Sequence, residues 1–104
     1  MKVNMTDLEI TKLCAQAMGL SLENDADSRM SRDMLMFYEG KTYHVYDPLH
    51  DDAQAMALVK KLHMTIVWGD HVENGPTWYV DDDGVNADLN RAIVECVAKM
   101  QAAK

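Results

Sequence analysis

The chain has one phenylalanine, two prolines and two cysteines among its 104 residues, and it has ten Lys and Arg against seventeen Asp and Glu. Each shortage excludes something. A net charge of −7 repels a phosphate backbone, so binding to a nucleic-acid polymer or to anionic lipid is not expected. No apolar run approaches the ~20 residues that cross a bilayer, and "MKVNMTDLEITK" lacks the apolar stretch of a signal peptide. A cytoplasmic protein is expected. Cys14 and Cys96 are far apart and lie among helix-period apolar residues, which predicts buried free thiols rather than a disulfide or a metal pair.

What is present is an ordinary globular composition, 48% hydrophobic and 26% charged, at the size of one domain spanning residues 1–104. Its first element is "TDLEITKLCAQAMG", with Thr6 as N-cap, Glu9 as the capping-box partner and Gly19 as the stop. Ile10, Leu13, Cys14, Ala17 and Met18 form its apolar stripe. Residues 20–33 are polar, without period, and read as the longest loop. Then "MLMFYEGKTYHVY" predicts an antiparallel pair at about residues 34–38 and 42–46, turning at Gly40.

Pro48 ends that pair, and Asp51 and Asp52 open a second helix whose stripe is Ala55, Leu58, Val59 and Leu62. Lys60, Lys61 and His63 suit its negative end. "MTIVW" and "TWYV" read as two further strands separated by a turn that contains Asn74. The run Asp81–Gly84 reads as a turn into a last helix carrying Leu89, Ala92, Ile93, Cys96, Val97 and Met100. The order is αββαββα. It predicts an α+β fold, with one small four-stranded, mainly antiparallel sheet covered by three helices.

"YDPLHDDAQAMALVKKL" and "DLNRAIVECVAKM", with "WYV" between them, resemble the phage ABA sandwich family of small bacteriophage and prophage accessory proteins. The resemblance implies an α/β/α layered sandwich acting inside a bacterial host cell, and it carries no catalytic residue. By comparison with other small phage proteins, it suggests an anti-defence sponge that sequesters a nucleotide-derived signal.

Two clusters are candidates for such a ligand. Tyr46, Asp47 and His50 stand with Asp51 and Asp52 at a helix start, where free N–H groups can meet a phosphate and Tyr46 can stack on a base. The same acids equally suit helix capping. Asp88, Asn90 and Arg91 form the second cluster, in which Arg91 binds a ligand phosphate or pairs with an Asp of the 47–52 turn. Trp78 and Trp68 are strand aromatics suited to core packing or to stacking.

His44, His50, His63 and His71 lack metal-ligand spacing, no nucleophile elbow is present, and neither enzyme chemistry nor a cofactor is expected. Nine methionines, Met30, Met34 and Met36 among them, suggest an adaptable patch and a homo-oligomer. The competing reading is an acidic protein–protein inhibitor of a host protein.

Overall fold

The structure is a computed structural model that describes residues 5–25, 34–39, 41–71, 75–81 and 84–104. The expected turn residues Gly40, Asn74, Asp82 and Asp83, along with Met30 and the side chains of Met34 and His71, lie outside what is described. The elements are α1 (Asp7–Met18), β1 (Glu23–Asp25), β2 (Met34–Glu39), β3 (Thr42–Val45), α2 (Asp52–Leu62), β4 (Ile66–His71), β5 (Gly75–Val80), β6 (Gly84–Asn86) and α3 (Leu89–Ala102).

Local chemistry sets the helix ends. Thr6 accepts from Glu9 N–H at 3.2 Å, and Gly19 ends α1 in the left-handed region at φ 73°. Asp51 caps α2 by accepting from Gln54 N–H at 3.1 Å. His63 closes the same helix in the left-handed region, at φ 53°. Lys61 of α2 reaches across to Met18 O at 3.0 Å, so the negative end of α1 is held by a cation from its neighbour.

The sheet differs from expectation. Two separate three-stranded antiparallel sheets replace the single four-stranded one, in the orders β1-β2-β3 and β4-β5-β6. Two short strands account for the difference. Glu23–Asp25 lies in the stretch expected to be loop and pairs with Met34–Met36, while Gly84–Asn86 continues past the turn and pairs with Trp78–Val80. Apart from Val85 their residues are poor strand formers, so pairing with a neighbour, more than local preference, makes them strands. The turn and helix between Val45 and Ile66 then carry the chain away from the first hairpin, and the second begins a sheet of its own.

The layering also differs from an α/β/α sandwich. The helices pack on one another, with α3 touching α1 and α2, and among the described residues α3 alone of the helices lies on a sheet, against β5 and β6. Among the described residues no helix lies on the opposite face. The core is correspondingly centred on α3, whose Ala92, Ile93, Val94, Cys96, Val97 and Ala98 are buried. Ile10 and Cys14 of α1, Ala55 and Leu58 of α2, and Val80 of β5 meet it there. Met100, expected in that stripe, is instead exposed.

Strand β6 lies close against α3. Gly84 is buried there, and a Cβ at that position would run into the carbonyl oxygen of Ala92, with Cys96 Cβ at 3.0 Å. Only a residue without a side chain lets strand and helix come so near.

Candidate functional site

The two helix starts singled out in the sequence do meet. Asn90 Nδ2 donates to Asp52 Oδ1 at 2.8 Å and lies 3.4 Å from Leu49 O, which ties the first turn of α3 to the corner before α2. Asp88 caps α3 by accepting from Asn90 N–H at 3.2 Å, and its own N–H donates to Asn86 Oδ1 at 2.9 Å. His50 Nδ1 lies 2.9 Å from Asp47 Oδ2, while the Asp47 N–H donates to Gln54 Oε1 at 2.6 Å. Gln54 also donates to Val45 O at 2.8 Å and so clamps the strand end to the helix.

Chemically, this corner is a set of mutual caps. Each of these two helix starts already has a carboxylate, from Asp51 or Asp88, on one of its first-turn N–H groups, and Asp52 bonds across to Asn90. A phosphate approaching either start would meet those carboxylates before the backbone.

Arg91 is placed differently from the expected pairing. Its guanidinium donates to Asp7 Oδ1 at 3.0 Å and to Glu95 Oε1 at 3.3 Å, joining α3 to the start of α1; it does not pair with an Asp of the 47–52 turn. The reason is helical geometry: Arg91 follows Asn90 by about 100° around α3, so the neighbour that faces the corner is Asn90. Its hydrogen bond to Asp7, more than any other contact, raises the guanidinium pKa further.

Tyr46 is also placed differently from the stacking role. It is 4% exposed, packs edge-on against Phe37 at 5.8 Å between ring centroids, and its buried hydroxyl has no hydrogen-bond partner. Burial, with Cys14 nearby, pushes its pKa upward. Cys14 and Cys96 are both buried and neither is in a disulfide, as the spacing predicts, and burial pushes Cys14 up to about 12. The Cys14 thiol lies 3.5 Å from Val94 O.

A different surface emerges on the second sheet. Trp68 and Trp78 pair directly across β4 and β5 with ring centroids 4.7 Å apart, and Trp68 remains 54% exposed. Val67, on the other face of the same strand, is 53% exposed. Residues 62–90 of the sequence contain Asp70, Glu73, Asp81, Asp82, Asp83 and Asp88, and no Lys or Arg; Asp70 lies on β4, Asp81 follows β5 and Asp88 caps α3, while Glu73, Asp82 and Asp83 lie outside the described residues. That gap was legible in the sequence as a stretch without Lys or Arg. Its meaning depends on knowing that the three strands within it pair as one sheet.

Comparison with protein-family models, curated proteins and solved structures finds no match for the chain. The likeness to phage ABA sandwich proteins therefore rests on the residues quoted for it alone. Among the described residues no group of His, Cys, Asp and Glu is arranged to hold a metal ion. Nor is any helix there long and apolar enough to cross a membrane.

Proposed function

We propose that this chain is a small non-enzymatic binding protein whose acidic second sheet engages a basic surface of a protein partner. In the bacteriophage setting implied by the resemblance, the partner is a host protein in the bacterial cytoplasm and the outcome is inhibition. One observation carries the proposal: Trp68 stands exposed on a sheet whose strands carry Asp70 and no Lys or Arg, with Asp81 at the end of β5, within a 29-residue stretch of sequence that has six Asp and Glu and no Lys or Arg. A field of one sign steers an oppositely charged partner, and an aromatic anchor supplies contact area that charge alone does not.

The nucleotide sponge is not the reading these contacts favour. It needs Arg91 and open helix N-termini at one site, whereas Arg91 holds Asp7 and Glu95, and Asp51 and Asp88 cap the helices. Self-association, expected from the methionines, belongs to the same proposal and is read by sedimentation at several concentrations.

The test is capture of bacterial host proteins on the immobilised chain at low and high ionic strength. A discrete basic partner is expected at low salt and is released as salt rises, because the screening length falls from ~10 Å at 0.1 M to ~3 Å at 1 M. Capture that ignores salt, or a partner that Asp70→Lys holds as well as the parent does, would overturn it.

A further inference from the structure

We infer that the outer edge of β4 receives an extended basic segment of the partner as a fourth strand, with a Lys or Arg side chain lying over the Trp68–Trp78 pair. This rests on the protein-binding reading above and specifies how the contact is made. In the order β4-β5-β6, β4 has one side unpaired, and among the described elements it touches only β5.

The direction of its backbone groups follows from one hydrogen bond. Asp81 N–H donates to Thr65 O at 2.9 Å, and the register then runs unbroken from Ile66 opposite Val80 to His71 opposite Gly75. Bonded pairs recur at every second residue of an antiparallel ladder, so Val67 and Gly69 face β5 while Ile66, Trp68 and Asp70 turn their N–H and C=O groups outward. Pro76, which has no N–H to give, sits opposite Asp70 at a non-bonded position, as this phase requires.

Exposed edges are usually blunted by charged side chains, and most effectively by a lysine, a proline or a bulge; the charge on β4 is Asp70, an acid that a basic strand would pair with. β4 has no lysine, proline or bulge along Ile66–His71, and it exposes Val67 on one face and Trp68 on the other. An added strand would place alternate side chains beside Trp68 and Asp70 on one face and beside Val67 on the other. Basic residues suit the first face, where a cation meets the indole ring and the Asp70 carboxylate; apolar residues suit the second. Charge selects among occupants. A second copy would bring two chains of net charge −7 together along edges that each carry Asp70 and no Lys or Arg, whereas a basic strand brings the opposite sign.

The probe is a capped octapeptide alternating Lys and Val, compared with its Glu–Val counterpart and with a form N-methylated at alternate residues, which removes the amides that would face β4. Amide hydrogen exchange in the full chain is the readout. With the Lys–Val peptide, exchange at Ile66, Trp68 and Asp70 is expected to slow about tenfold or more. Neither control should produce it, and Trp68→Ala should weaken binding about fivefold.

Binding of the Lys–Val peptide with those three amides still exchanging freely overturns the edge and leaves the acidic protein-binding reading intact. No binding of the peptide overturns the edge as well. If the host-protein capture also fails, both readings fall. Protection that grows with protein concentration in the absence of peptide assigns the edge to a second copy and overturns the inference.

Discussion

Replacing Gly84 with alanine adds one methyl group at the point where β6 lies against α3. The new carbon would overlap the Ala92 carbonyl oxygen and sit 3.0 Å from Cys96 Cβ and 3.1 Å from Ala92 C. These are largely backbone atoms inside a helix, so no side-chain tip can rotate away, and α3 as a unit must move off the strand. Overpacking a core commonly costs ~1–3 kcal/mol. With a helix backbone as the obstacle, ~3 kcal/mol is expected, a large part of the ~5–15 kcal/mol that holds a domain together. For a chain of this size, that lowers Tm by roughly 12–24 °C. Gly69→Ala supplies the internal comparison, because its methyl group meets only Tyr79 Cε2, at 3.6 Å. It should change stability by no more than about 0.5 kcal/mol. Thermal melts of the two variants followed by circular dichroism decide the matter. If Gly84→Ala melts with Gly69→Ala, the close seam between β6 and α3 does not exist in solution, and the arrangement of helices over the second sheet must be redrawn.

Other expectations are equally direct. Tyr46→Phe removes a buried hydroxyl without a partner, so stability should hold or rise by ~1 kcal/mol in denaturant titration, and a comparable loss would mean the hydroxyl is bonded after all. Asp51→Ala removes the α2 cap and should cost ~1 kcal/mol; an unchanged urea midpoint would show the cap to be idle. Cys14 has its pKa raised from 9.0 to about 12, so the unfolded chain loses this proton first: its contribution is intact below pH 9 and is lost as pH rises toward 12. Alkaline melts should therefore be flatter over that window in Cys14→Ala, and identical slopes in parent and variant would refute this. Cyclic and ADP-ribose-derived nucleotides should leave Tm unchanged, whereas stabilisation approaching ~2.7 kcal/mol at 100 times a dissociation constant would restore the nucleotide reading.

The helices were legible because their signals are local. Thr6, Gly19 and Asp51 act where they stand in the sequence, and the stripes of Ile10, Cys14, Ala55, Leu58, Ile93 and Val97 repeat at the helical period. Glu23–Asp25 and Gly84–Asn86 were not legible, since three-residue segments of which only Val85 favours a strand become strands beside a partner. The candidate site was half legible. The meeting of the two helix starts was foreseen, but which side chain bridges them was not: one step around the helix gives that place to Asn90 and turns Arg91 toward Asp7, eighty-four positions earlier in the chain. Tyr46 illustrates the same limit, because its strand-end position does not reveal that Phe37 and α1 close over it.

The position of α3 in chain order has a kinetic consequence. Every other helix, and the second sheet, depends on an element that follows them all. On a ribosome, α1 and α2 leave the exit tunnel with only each other to cover their apolar stripes, and wait until α3 has itself emerged. Nascent chains halted before Leu89 should therefore be readily cut by protease and held by chaperones, and collapse to the native form should come in a single late event after synthesis passes α3.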